Sequence, residues 1–345
     1  MLKSVKLAVK AREMYERTFW RMTDNWTRVK IALSLGPYGA TLEPAAEFTG
    51  IYPPPFGPSQ LSSSSVLDPE QRPLTEADSA SYIDALASFH FSRLMVYARH
   101  TEVWNAIDLL AFETIPLVTE GQAIRIAVAR LEDWFQETAP RELDKATTST
   151  RMKPWYISFV FPGPSGEFIQ SHPVTKGQET QLLESFENSA EMPATYTAYE
   201  VAKSVFSPGT GGDQRKMSIP DAIGVNCTPG HVLAPIIEGF ATALRDLWLK
   251  AIYQTEELPW LVICPNGGLA YDPVRRTWAD IPSIPGKQIE GREENWAKAL
   301  AELIGMGSSD LPAADISIFG GLLIGGCCKT GPNEIKDLKT HMSRP

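Results

Sequence analysis

The sequence is poor in the residues that cross-link, span membranes or gather phosphates. It holds four cysteines in 345 residues, two of them adjacent at Cys327 and Cys328, too few and too unevenly placed for the disulfide framework of a secreted domain. Thiols in this number suit a reducing compartment, so the expected location is the cytoplasm. The five histidines, His90, His100, His172, His231 and His341, include no pair spaced to grip a metal from one helix face. The longest apolar stretch, 316–328, has 13 residues with four glycines among them, short of the roughly 20 that a membrane helix needs. Basic charge is in deficit: 32 Lys and Arg against 41 Asp and Glu give a net charge of -9. Nucleic-acid backbones demand clustered positive charge, so no such partner is expected. Neither a GxGxxG nor a P-loop pattern is present, which removes the usual signs of dinucleotide or nucleotide binding. A small-molecule substrate remains.

What is present is a globular composition, 43% hydrophobic with 25 glycines and 27 prolines. Short apolar runs at Val29–Leu35, Ile107–Phe112, Trp155–Phe161, Ala222–Val225, Leu261–Cys264 and Leu322–Ile324 predict buried parallel strands,. Between them, helical spacing of apolar residues predicts helices over Ser81–Trp104, Gln122–Thr138, Thr195–Phe206, Val232–Tyr253, Glu293–Met306 and Glu334–Met342,. This alternation is the α/β class. Segments rich in Pro, Ser and Gly near 52–75, 139–152 and 162–220 interrupt it and read as loop insertions that set no domain boundary, so residues 1–345 are taken as one domain,. The N-terminal MLKSVKLAVKAREMY carries Lys3, Lys6, Lys10 and Arg12 ahead of Glu13, as a mitochondrial presequence does,. It also sets Val5, Ala8, Val9 and Tyr15 toward one helical face, and an amphipathic helix is the expectation.

Three cysteines follow strands directly: Cys227 ends AIGVNC, and Cys327 with Cys328 ends LLIGGCC. The carboxyl ends of parallel strands form the working face of such a sheet, so residues 100 positions apart in sequence can meet there,. Soft sulfur ligands select zinc, and three of them leave one tetrahedral position open for a substrate atom. Gly325 and Gly326 fit that reading if a side chain there would crowd the metal. Three buried free thiols, or a vicinal disulfide between Cys327 and Cys328, remain open alternatives. Cys264, inside LVIC, reads as a core residue and His231 as a solvated helix-start residue. Glu113, ending IDLLAFE, is placed either to receive an ammonium group or to lie in solvent. Asn226 is a candidate neighbour of the sulfur site, and Tyr38 in LGPYGA and Asn266 in CPNGG are candidate substrate contacts in strand-exit loops.

The segments KSVKLAVKAREMY, ALSLGPYGATL with EFTGIY, DLLAFETIP, WYISFVF, AIGVNCT, LVICPNGGLAYDPVRRTW and LLIGGCCKTGPNEIKDL resemble, in order, the zinc-dependent homocysteine S-methyltransferases. That resemblance implies a (β/α)8 TIM barrel, Zn2+ on Cys227, Cys327 and Cys328, and Glu113 holding the amino group of homocysteine. Asn226, which from its place before Cys227 reads as a donor behind the site or as a turn former, is grouped with Glu113 as a substrate-binding candidate. The implied reaction transfers methyl from a sulfonium, S-methylmethionine or S-adenosylmethionine, to homocysteine; a betaine-type donor and a non-catalytic remnant are the alternatives. Family members begin with a strand carrying Asp-Gly-Gly and a second strand, whereas this chain starts within the helix that follows. Six of eight strands are therefore expected, from an N-terminally truncated form that is expected to bind zinc weakly or not at all.

Overall fold

The computed structural model describes residues 2–19, 28–57, 76–138, 152–162, 168–169, 195–208, 216–250, 257–267, 269–272, 277–280, 292–305 and 314–342. Most of the three predicted insertions lies outside these residues. Six strands form one parallel sheet: β1 (Ala32–Leu35), β2 (Leu109–Ile115), β3 (Trp155–Phe159), β6 (Ala222–Asn226), β7 (Trp260–Cys264) and β10 (Leu322–Ile324). Two small antiparallel pairs lie outside it, β4 (Phe168–Ile169) with β5 (Thr195–Tyr196), and β8 (Leu269–Asp272) with β9 (Thr277–Asp280). The helices are α1 (Leu2–Phe19), α2 (Glu76–Ala98), α3 (Thr101–Ala106), α4 (Val118–Thr138), α5 (Ala198–Phe206), α6 (Leu233–Leu249), α7 (Arg292–Leu303) and α8 (Pro332–Met342).

The order across the sheet, β1-β2-β3-β6-β7-β10, never reverses. A doubly wound sheet reverses at a switch point and carries helices on both faces; a barrel wall runs in one direction with its helices outside. The side chains follow the barrel rule. Leu33, Leu35, Leu110, Phe112, Ile157, Phe159, Ile223, Val225, Leu261 and Ile263 join one core with residues of the helices. The alternate positions, Ala111, Tyr156, Ala222 and Val262, form a separate cluster that includes no residue of a described helix. The sheet is thus six strands of a (β/α) barrel wall, a half-barrel, with its lumen face on the second cluster. Its edges, β1 and β10, pair with no further strand among the described residues. At β1 the lumen-side Ala32 and Ser34 are exposed while Leu33 and Leu35 are buried. Gly224 on β6 lets that strand lie close against Val262 of β7, because a Cβ at that position would lie 2.5 Å from Val262 Cβ.

Two expectations are corrected. The predicted helix over Ser81–Trp104 is two helices, since His100 takes extended angles (φ -112°, ψ 91°) and starts α3. Tyr15 does not share the buried face of α1: Val5 is buried and Tyr15 is exposed. Ten residues is about 2.8 turns, which rotates Tyr15 away, whereas Arg12, about two turns on from Val5, stays in line. Arg12 is buried and its Nη1 donates to Asp108 Oδ2 at 3.1 Å, tying α1 to the foot of β2. The antiparallel pairs were not foreseen.

Arg125 of α4, 1% exposed, donates to the carbonyls of Ser204, Ser207 and Ser218 at 2.7–2.9 Å. It joins α4 to the end of α5 and to the segment leading into β6, and burial lowers its pKa to about 10. Arg125→Met removes all three donors while keeping apolar bulk. It is expected to lower the unfolding free energy by about 3 kcal/mol or more, read by urea titration followed by circular dichroism.

Candidate metal centre

The carboxyl ends of β2, β6 and β10 each leave regular geometry where chemistry is expected. On β2 the register slips between Phe112 and Ile115, so Glu113 and Thr114 together span what Ser158 alone spans on β3. Such a bulge re-aims side chains. Thr114 has φ 61°, Cys227 has φ 51° and Lys329, just after the vicinal cysteines, has φ 64°. These are the described non-glycine residues with positive φ, each costing about 1–3 kcal/mol, and such strain concentrates at functional sites.

The result is a sulfur cluster. Cys227 Sγ lies 2.7 Å from Cys327 Sγ and 3.8 Å from Cys328 Sγ, with 3.9 Å between the two neighbours. Four-coordinate zinc with Zn–S bonds of about 2.3 Å sets its sulfurs roughly 3.8 Å apart, so two of the three separations already match and the third is tighter. The donor set is all soft sulfur, with no carboxylate or histidine among it. The residues fit zinc. The thiol hydrogen bonds among the three sulfurs lower the pKa of Cys327 and Cys328 and push that of Cys227 up. Two sulfurs of the set therefore favour the thiolate form that a metal requires.

A loop ladder brings the vicinal pair across β7. Cys327 N–H donates to Pro265 O at 2.8 Å, Gly267 N–H to Cys328 O at 2.9 Å, and Cys227 N–H to Cys264 O at 3.3 Å. The reason expected for the glycines is corrected. A Cβ on Gly326 would meet the Thr330 side chain, and one on Gly325 would make ordinary contact with Cys264 Sγ at 3.5 Å, so close packing of the loop is what Gly326 permits.

Asn226 is buried and its side chain is fully engaged. Its Oδ1 accepts from Ser158 Oγ at 2.7 Å and from Thr114 N–H at 2.9 Å; its Nδ2 donates to Thr114 Oγ1 at 2.7 Å and to Cys227 Sγ at 3.4 Å. Thr114 Oγ1 in turn reaches Cys227 Sγ at 3.6 Å. Thr114 and Ser158 were missed in the sequence, where nothing distinguished them from other polar strand residues. Glu113, half-buried, accepts from Tyr156 Oη at 3.1 Å, and burial raises its pKa. Cys264 is not one of the clustered sulfurs; it packs against the lumen-side cluster of Ala111, Tyr156, Ala222 and Val262, its pKa pushed up to about 12 chiefly by burial. His231 is exposed.

Tyr38 and Asn266 are held in place by neighbouring elements. Tyr38 N–H donates to Glu120 Oε1 at 2.7 Å, and its half-buried ring stacks on Phe56 at 4.0 Å. Asn266 is buried, receives Trp296 Nε1 on its carbonyl at 2.9 Å, and has an Oδ1 without a hydrogen-bond partner among the described residues. The sequence reading also missed His90, whose Nε2 lies 2.9 Å from Glu120 Oε1 with both residues buried.

A one-directional parallel barrel wall with three converging thiols at its carboxyl rim defines a protein of the (β/α)-barrel class with a candidate metal site. The homocysteine S-methyltransferase family profile matches residues 1–342, and the chain belongs to that family of methyltransferases. It is 25% identical over 345 residues to homocysteine S-methyltransferase 2 of Zea mays, covering 100% of this chain and 68% of that protein. It is 26% identical to homocysteine S-methyltransferase 1 of Arabidopsis thaliana, covering 99% and 70%, and 23% identical to selenocysteine Se-methyltransferase of Brassica oleracea var. italica, covering 99% and 66%. Among solved structures, the metallated form of the homocysteine methyltransferase MmuM from Escherichia coli has a TM-score of 0.41 at 21% identity, covering 98% of this chain and 69% of that one.

Thr114→Val keeps the shape but removes the hydroxyl that Asn226 and Cys227 share. It is expected to weaken metal affinity about 10–100-fold, the usual cost of losing a group that orients a ligand, read by competition with a chromophoric zinc chelator.

Proposed function

We propose that this chain transfers a methyl group from a sulfonium, S-methylmethionine or S-adenosylmethionine, to homocysteine, with zinc held by Cys227, Cys327 and Cys328. The observation that carries the reading is the meeting of these three sulfurs within 3.9 Å of one another. Held there, zinc would supply Lewis acidity, the chemistry that keeps a thiol deprotonated and nucleophilic at neutral pH. The rest falls to the protein. Glu113, carried on the bulge beside Thr114, would receive the ammonium group of homocysteine and so fix which way the thiol enters. Tyr156 holds that carboxylate from the next strand. The homocysteine sulfur attacks the methyl carbon in line, the S–CH3 bond forms as the sulfonium S–CH3 bond breaks, and methionine leaves with the donor's neutral thioether. Holding the reacting atoms in line is worth several kcal/mol, up to about 7–11.

The chain acts as one domain in this reading, and its free thiols support a cytoplasmic location,. No described helix is long and apolar enough to cross a membrane. The sequence alone led to an expectation of weak zinc binding or none. Because β6 and β10 assemble all three ligands within this chain, we propose one zinc per chain, and elemental analysis after gel filtration decides between the two.

Purified protein with homocysteine is expected to form methionine from S-methylmethionine or S-adenosylmethionine and not from betaine; activity with betaine alone would overturn the donor class. Selenocysteine, the substrate named for one relative, serves as a competing acceptor. Cys227→Ser and Cys327→Ser are each expected to lose zinc and more than about a hundredfold in rate, beyond the cost of a supporting residue. Glu113→Gln removes a charge-assisted hydrogen bond and is expected to raise the homocysteine KM about 10–100-fold while leaving the KM of the sulfonium and the zinc content unchanged.

A further inference from the structure

α1 is basic on a chain that is acidic. It holds Lys3, Lys6, Lys10, Arg12 and Arg17 against Glu13 and Glu16, whereas the whole chain has a net charge of -9. Arg12 and Glu16 are used by the fold, since Arg12 donates to Asp108 and Glu16 lies 4.0 Å from Arg12. The other cations gather on one side. At about 100° per residue, Lys6, Arg17, Lys10 and Lys3 fall within an arc of about 60°, on the side turned away from Val5 and Arg12. They are exposed, and none of them makes an ion pair with a described residue. Lys6 and Lys10 stand one turn apart, a like-charge pair that destabilises a helix, and no described acid lies within ion-pair distance to offset it.

Beside the cations runs an apolar stripe. Met14, Leu7 and Ala11 continue round the helix from Lys3 over about the next 80°. Leu7 is 57% exposed and Met14 60%, with Ala11 exposed between them. Val5, by contrast, joins the helix-side core. α1 therefore has two apolar faces, and the described residues cover one.

What the outer face fits is set by its length and by its two kinds of side chain. Lys3 to Arg17 runs about 21 Å along the helix axis, too long for one small anion. A nucleic-acid backbone would meet the cations and gain nothing from Leu7 and Met14. Lysine is depleted from protein–protein interfaces, yet it supplies most of the cations here. An anionic bilayer takes both features, because its headgroups attract clustered lysines while aliphatic side chains beside them enter the acyl boundary. The net charge of -9 does not prevent this, since charges farther than a Debye length of about 8–10 Å from the surface are screened. We propose that the outer face of α1, Lys3, Lys6, Lys10 and Arg17 with Leu7 and Met14, docks the protein reversibly on an anionic lipid surface. The helix lies on the bilayer and does not cross it. This inference stands apart from the methyl-transfer reading.

The test uses the purified protein with vesicles of phosphatidylcholine, with and without phosphatidylserine, read by co-sedimentation. Binding is expected only to the vesicles that contain phosphatidylserine, and it is expected to fall as salt is raised. Each cation near such a surface strengthens binding about fivefold, so Lys6→Gln with Lys10→Gln is expected to weaken it about thirtyfold. Leu7→Gln with Met14→Gln removes the stripe and is expected to weaken binding about tenfold. Lys250→Gln with Lys336→Gln takes away the same charge just after α6 and on α8, and is expected to change binding by less than about twofold. All the substituted side chains are exposed, and circular dichroism checks that each variant is folded. Absence of binding to the anionic vesicles overturns the proposal, as does an equal loss in the Lys250 and Lys336 control. Loss with the Lys6 and Lys10 pair but not with the Leu7 and Met14 pair would leave a surface for polyanions in general and overturn lipid as its occupant.

Discussion

The constraint on which the site depends is a distance. Cys227 leaves β6 and the vicinal cysteines leave β10, and β7 lies between those strands. Neighbouring strands run about 4.8 Å apart, so sulfurs standing straight up from β6 and β10 would be separated by nearly 10 Å. They lie 2.7 and 3.8 Å apart. The difference is made up by backbone. Cys227 turns inward through its positive φ, and the 327–328 turn folds over the exit of β7, where Pro265 and Gly267 hold it by main-chain hydrogen bonds. The loop after β7 contributes no ligand and yet sets the separation of all three.

A second consequence follows from the Asn226–Thr114 pair. Thr114 exchanges two hydrogen bonds with Asn226, and Asn226 precedes Cys227 while Thr114 follows Glu113. One pair of contacts thus fixes both the sulfur and the carboxylate proposed to receive the substrate's amine. Movement of the β2 bulge would displace both ends of a bound amino acid together. Ser158 on β3, the strand between them, adds a third hydrogen bond to the same amide. The polar layer is continuous across three strands and is buried at Ser158 and Asn226, where an unpaired group would be costly.

Much of this was legible in the sequence because it depends on period and position. All six strands of the sheet were found within a few residues, since apolar runs buried on the helix side carry a strong signal; Leu322–Ile324 matches residue for residue. The convergence of Cys227 with Cys327 and Cys328 followed from their places at strand ends. The break at His100 was not legible, because Trp104 continues the apolar spacing of α2 and no proline or glycine marks the stop. Nor was the bulge at Glu113–Thr114, which shows only in pairing with β3. Thr114, Ser158, His90 and Glu120 are ordinary residues in sequence whose importance comes from partners 30 to 112 positions away. The two glycines before Cys327 were noticed for a sound reason and assigned the wrong neighbour, since Thr330 reaches back over Gly326 from beyond the turn.

The strain at the rim bears on how the metal would be bound. Thr114, Cys227 and Lys329 each hold a left-handed backbone, and for a β-branched threonine that conformation is a true outlier. At about 1–3 kcal/mol apiece these residues keep such angles only because something else fixes them. What fixes them is visible without an ion: the Asn226 amide at Thr114, the ladder to Cys264 at Cys227, and the main-chain bonds of the 327–330 turn, all standing on a sheet whose outer side chains are almost entirely buried. A zinc finger gathers its ligands only when the metal arrives, so the ion's binding free energy is used up in folding. Here the sheet, through its buried core, already carries the cost of bringing three sulfurs together, so the binding free energy of an ion held there would not be spent on gathering its ligands.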